Sequence, residues 1–190
     1  MRWRSMQTPK SNSLRTVYSR YGPTTDRNDI VAGYAAAIGA IFVSALYITS
    51  VWLVNSGVLD LNWSPYFATL EFNWVVYSAT RGLVVAVPTA FLVGAIGWRV
   101  FPTQTAVSGA LKGAIGAVAT YIVALVPTVA VVFVLDIASS ESIGVGVALA
   151  NALELSGLFV TVGFVLTWWL AIPVGCLVGV VYATRRQTAT

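Results

Sequence analysis

Histidine is absent from this chain, and cysteine occurs once, at Cys176. These gaps exclude a disulfide within the chain, a His-ligated haem, a His/Cys zinc site and every triad built on an imidazole base. Cys176 lies in an apolar run, where a small, weakly polar side chain suits packing. Charge is scarce as well: 9% of residues are Asp, Glu, Lys or Arg, where a soluble domain carries roughly 25%. Lysine is scarce beside arginine, two against nine. That bias fits a GC-rich prokaryote, with a halophilic archaeon as one candidate, although a sequence pI of about 9.5 is not that of an acid-rich halophile proteome.

The missing charges leave four long apolar runs, near 31–54, 74–98, 113–135 and 158–183. A helix of about 20 apolar residues crosses the ~30 Å hydrocarbon core of a bilayer, so each run is long enough to span. The polar pieces between them are too short to bury a soluble core, because chains below about 40 residues rarely fold alone. The expected fold is all-α: a polytopic membrane protein of four transmembrane helices. The division follows as a basic tail over 1–29, a first hairpin over 30–100, a loop over 101–112, a second hairpin over 113–184 and a C-terminal piece over 185–190.

Basic residues are missing from two of the five polar pieces. The first, third and fifth carry Arg2, Arg4, Lys10, Arg15, Arg20, Arg27, Arg99, Lys112, Arg185 and Arg186. The second and fourth carry Asp60, Glu71, Asp136, Glu141 and Glu154 but no Lys or Arg. Lys and Arg accumulate on the cytoplasmic side of membrane proteins, so both termini are expected there, in the plasma membrane of a prokaryote. In the tail, Leu14, Val17, Tyr18 and Tyr21 fall on one helical face flanked by Arg15 and Arg20. Such a stretch suits contact with anionic lipid; the plainer reading is a tail whose charges only set topology. The second piece contains the aromatic stretch Trp63-Ser64-Pro65-Tyr66, suited to the membrane interface. Residues 147–156 are expected to form a short separate helix on or dipping into the outer interface, because the apolar stretch up to Ala183 exceeds one span.

The two halves resemble each other. Ala37-Ile38-Gly39-Ala40 recurs as Ala114-Ile115-Gly116-Ala117, and Val58-Leu59-Asp60-Leu61 as Val134-Leu135-Asp136-Ile137. Leu70-Glu71 matches Leu153-Glu154, and Pro88 followed by Leu92-Val93-Gly94 matches Pro173 followed by Leu177-Val178-Gly179. The expectation is two tandem hairpins, a parallel internal repeat related by an axis along the membrane normal. The same alignment pairs Ala86, Ala90 and Gly94 with Ala171, Gly175 and Gly179, and Ala32, Ala36 and Ala40 with Gly109, Gly113 and Ala117. A spacing of four puts each set on one stripe, where helix backbones approach closely. The second and fourth spans are expected to meet each other or a partner through Ala90, Gly94, Gly175 and Gly179. Pro88 and Pro173 each remove a helical hydrogen bond and are expected to kink those spans.

Arg81 is the one charge well inside a run. Counting about 20 residues outward from Trp98 places it near the outer edge of the hydrocarbon, within reach of the interface by snorkelling. Two roles follow: an ion pair with Glu154 or its repeat equivalent Glu71, or a cation lining a polar vestibule. Glu154 lies 19 residues before Pro173 and Arg81 lies 7 before Pro88. That difference of 12 is roughly 18 Å of helix, so the Glu154 contact requires residues 147–156 to fold inward.

No Gly-rich phosphate loop, catalytic carboxylate pair, metal-ligand cluster or GxGD-type intramembrane aspartate is present. A non-enzymatic integral membrane protein is expected, with no cofactor. It would act as a structural or accessory component packing with partner subunits or itself, as a homo-oligomer or a subunit of a membrane complex. The alternative is a small oligomeric transporter or channel for an ion or small solute, with Arg81 near its outer vestibule. The lipid bilayer is the expected environment, and nucleic acid is not an expected partner.

Overall fold

The structure, a computed structural model, describes residues 28–59, 71–100, 105–139 and 144–187. The amphipathic stretch of the tail, the aromatic segment Trp63–Tyr66, Asp60 and Glu141 lie outside the described residues. Among the described residues four helices make up the regular structure: α1 (Asn28–Asn55), α2 (Phe72–Val100), α3 (Ala106–Ser139) and α4 (Val145–Gln187). All four are long and apolar enough to cross a membrane, which fits a multi-pass membrane protein. The helical form follows from the solvent: in hydrocarbon every backbone N–H and C=O must be satisfied within the segment.

The helix ends have local causes. Gly57 adopts a left-handed φ of 73° after α1. The Val58 amide then donates to the Leu53 carbonyl at 3.1 Å and the Gly57 amide to that of Val54 at 3.1 Å, the double closure of a glycine-terminated helix. At the start of α3, the Ser108 amide donates to Thr105 Oγ1 at 3.2 Å and the Thr105 amide to Ser108 Oγ at 3.4 Å. This reciprocal cap starts α3 at Ala106, seven residues before the apolar run, so Lys112 stands on a helix and not in a loop.

The separate short helix expected over 147–156 does not form. These residues are the first turns of α4, which is one helix of 43 residues. No proline or polar cluster interrupts the chain there. Ala148, Ala152 and Ser156 are fully buried at a spacing of four, and Asn151 Nδ2 donates to Asp136 Oδ2 of α3 at 3.4 Å. Packing along the end of α3 holds this stretch in line with the rest of α4.

The closest pairings are α1 with α2 and α3 with α4; smaller contacts of α2 with α3 and α1 with α4 complete a ring. Neighbours run antiparallel. Two apolar clusters fill the α1–α2–α4 side: Tyr47, Val51 and Val75 with Leu166 and Leu170 against them, and Val43, Ala171 and Val174 with Leu46, Tyr121 and Val178. α2, α3 and α4 continue through Pro88, Pro127 and Pro173 respectively.

Candidate functional site

Three features stand out as the chain is assembled: the glycine seams, the aromatic meeting point at one end, and the isolated arginine. The seams come from small residues at spacing four. A Cβ on Gly109 would lie 2.6 Å from the Gly179 carbonyl oxygen, and one on Gly175 would lie 2.5 Å from that of Gly113. The backbones of α3 and α4 therefore touch along Gly109, Gly113, Gly175 and Gly179. In α1–α2, a Cβ on Gly94 would lie 2.7 Å from Ala36 Cβ and 3.0 Å from the Ala32 carbonyl oxygen. Ala90 is buried beside it and Ala86 is half-buried. Gly94 thus packs on α1, and Gly175 and Gly179 pack on α3; these glycines do not bring α2 and α4 together. Ala171, on the same numerical stripe, joins Val43 of α1 instead.

α2 and α4 do meet at their C-terminal and near-C-terminal turns. The rings of Trp98 and Tyr182 lie 4.4 Å apart between centroids, and Lys112 Nζ lies 6.0 Å from the Trp98 ring centroid. Three helices thus contribute to one aromatic–cation cluster. Trp98 is legible in the sequence as an interface marker, but its partners depend on packing between helices distant in sequence.

Arg81 is exposed, and its guanidinium carbon sits 3.9 Å from the centroid of the Tyr77 ring, one turn nearer the start of α2. Tyr77 makes an edge contact with Trp74, with ring centroids 5.9 Å apart. Among the described residues no ion pair joins Arg81 to Glu71 or Glu154, both of which are exposed. The axial register explains the separation from Glu154. Leu166 and Leu170 of α4 pack against the cluster that holds Val75 together with Tyr47 and Val51 of α1. Glu154 lies 12 residues before Leu166, roughly 18 Å along a helix, and Arg81 lies six residues past Val75 in the opposite direction. Because 147–156 continue α4 outward and do not fold back, the gap stays open.

Six hydroxyls along the spans serve their own helices. Thr49, Ser50, Thr80, Thr89, Thr120 and Thr128 each donate to the carbonyl four residues earlier, at 2.7–2.8 Å. Thr167 donates to the Gly163 carbonyl at 2.6 Å, which leaves its oxygen to accept from the Tyr121 hydroxyl of α3. Ser156 Oγ is buried with no hydrogen-bond partner. Among the described residues no three His, Cys, Asp or Glu gather into a group that could hold a metal ion. In comparisons with known proteins, the chain matches no family model, no curated protein and no solved structure.

Proposed function

We propose that this chain is a non-enzymatic integral membrane subunit that acts by packing against partner subunits or further copies of itself. The observation that carries this reading is an apolar overhang. From the Trp98–Tyr182 contact, α4 runs 37 residues outward to Val145, whereas α2 runs 26 residues to Phe72. The difference of 11 residues is roughly 16 Å of helix. A hydrocarbon layer of ~30 Å cannot enclose α1–α2 and also all of α4, which at 1.5 Å per residue is roughly 64 Å long. The overhang nevertheless exposes Val145, Val147, Leu149, Leu153 and Leu155 of α4 and Val134, Leu135 and Ile137 of α3. Contiguous apolar surface outside a bilayer marks a site covered by protein.

A duplicated hairpin is part of the same proposal. Gly94 meets Ala32 and Ala36 in one pair, and Gly179 meets Gly109 and Gly113 in the other. These are the residues that the repeat alignment sets in register, so the aligned positions make the equivalent contact twice. On this reading the second copy has been extended at its loop end, and the overhang is the extension. The transporter alternative finds less to rest on: Thr49, Ser50, Thr80, Thr89, Thr120 and Thr128 turn back on their own helices, the buried Ser44 and Ser156 hydroxyls without a hydrogen-bond partner stand singly, and Arg81 lies on an exposed face with Trp74 and Tyr77.

The test is extraction of the full chain from its native membrane in mild detergent, with light scattering on the eluted particle and identification of co-eluting proteins. We expect a protein mass above the 20.2 kDa of one chain. Leu149→Glu with Leu153→Glu should reduce it to the single chain without loss of helical content. A wild-type particle containing one copy and no other protein would overturn the proposal.

A further inference from the structure

The exposed face at the start of α2 changes character along its length. Its first turns present Asn73, Trp74, Tyr77, Ser78 and Arg81, and its following turns present Val84, Pro88 and Leu92; all are exposed. Polar donors and aromatic rings thus stand at one end of a helical strip and aliphatic surface at the other. Diacyl phospholipids have the same order of chemistry, with an anionic phosphate above apolar chains. We propose that this face binds the phosphate of an anionic glycerophospholipid, with Arg81 as the charge partner and the Tyr77–Trp74 pair as the wall that orients it.

The depth is right for that ligand. Seventeen residues separate Arg81 from Trp98, roughly 26 Å of helix, so with Trp98 at one interface Arg81 lies at the opposite edge of the ~30 Å hydrocarbon layer. Side chains on a helix lean toward its N-terminus. In α2 that direction leads out of the membrane, and the guanidinium accordingly rests on Tyr77, one turn further out. An arginine has five N–H donors in a planar fork. Contact with the ring face restrains the guanidinium, and a planar fork can meet a phosphate with two parallel N–H donors, which a lysine ammonium cannot. No carboxylate among the described residues forms an ion pair with Arg81, so none of them competes there with a bound phosphate. Ser78, one turn from Arg81 on the same face, adds a hydroxyl donor. The proposal requires that α2 span a bilayer, but it depends neither on the partner subunit proposed above nor on which side of the membrane is cytoplasmic.

The experiment uses the full chain in mild detergent with a defined mixture of phosphatidylglycerol and phosphatidylcholine, counting retained lipids by native mass spectrometry. We expect phosphatidylglycerol to be retained in preference to phosphatidylcholine. Arg81→Gln should weaken retention about tenfold, the scale of one lost charge-assisted contact. Arg81→Lys should recover part of it, Tyr77→Leu should weaken it while leaving the net charge intact, and Arg99→Gln, matched in charge at the other end of α2, should leave it unchanged. Melting temperature, read on each variant, should stay at the wild-type value in lipid-free detergent. Equal losses in Arg81→Gln and Arg99→Gln would reduce the effect to net charge and overturn the proposal. So would equal retention of phosphatidylcholine, or displacement of phosphatidylglycerol by an equal concentration of inorganic phosphate, which would make the site one for a free anion.

Discussion

At the scale of single residues, the glycines divide into those that a side chain would ruin and those it would help. Gly113 faces the Gly175 backbone so closely that a Cβ would collide with its carbonyl, while Gly116, three residues on, has nothing within 4 Å of its would-be Cβ. Gly113→Ala should therefore destabilise the α3–α4 pair by about 1–3 kcal/mol, the usual cost of overpacking. Gly116→Ala should be neutral or stabilise by about 0.5–1 kcal/mol, as expected where Ala replaces Gly inside a helix. Melting curves of the two variants in one detergent give the comparison, and equal melting temperatures would remove the seam from the account. Ser156 gives the complementary case. Its hydroxyl is buried and unpaired, which costs about 1–3 kcal/mol, so Ser156→Ala should raise the melting temperature; a drop would mean that the hydroxyl finds a partner. The glycine stripes were legible from their spacing of four. What spacing could not tell was which neighbour each stripe meets: Gly94 packs on α1 and Gly175 on α3, each the preceding helix in the chain. The stacking of Arg81 on Tyr77 was implicit in their separation of four residues. The ion pair expected with Glu154 did not form, because it required an axial register between the two helix pairs that no local pattern encodes.

Whole helices are the scale at which the sequence was most informative, since hydropathy and length both act over 20 residues and lipid permits little else. The boundaries were less legible. The start of α3 at Ala106 was written in the pair Thr105 and Ser108, a polar cap outside the apolar run that an inspection of hydropathy passes over. The length of α4 is hidden for the opposite reason: 147–156 are surplus beyond one span, and only packing against the far end of α3 determines that the surplus stays helical and in line. Between helices, Tyr121 to Thr167 is a polar contact whose strength can be predicted. Hydrogen bonds between membrane helices contribute on average about 0.6 kcal/mol. A double-mutant cycle with Tyr121→Phe and Thr167→Val should therefore return a coupling of about that size. A coupling near zero would show that each hydroxyl is content with its own helix, Thr167 through the Gly163 carbonyl.

For the whole molecule, the charge distribution and the helix ring make one joint statement. Neighbouring helices are antiparallel, so the start of α1, the end of α2, the start of α3 and the end of α4 share one end of the bundle. That end gathers Arg99 and Lys112 with the aromatic pair of Trp98 and Tyr182. At the other end stand Glu71, Asp136 and Glu154 with no Lys or Arg among the polar pieces. Arg81 does not disturb the asymmetry, since it belongs to a span and not to a loop. If Lys and Arg are retained on the cytoplasmic side during insertion, the orientation expected of the chain puts both termini inside and the overhang of α3–α4 outside. The overhang has a consequence for the proposed assembly: its partner would have to present apolar surface on the outer side of the membrane, beyond the reach of lipid. The orientation can be measured independently of any partner. In a Cys176→Ala background, single cysteines placed at Ser5, Thr188 and Val145 are exposed to a membrane-impermeant maleimide on intact cells. Labelling is expected at Val145→Cys alone, and at all three once the cells are opened. Labelling of Ser5→Cys or Thr188→Cys from outside would invert the molecule in the membrane and place the apolar overhang in the cytoplasm.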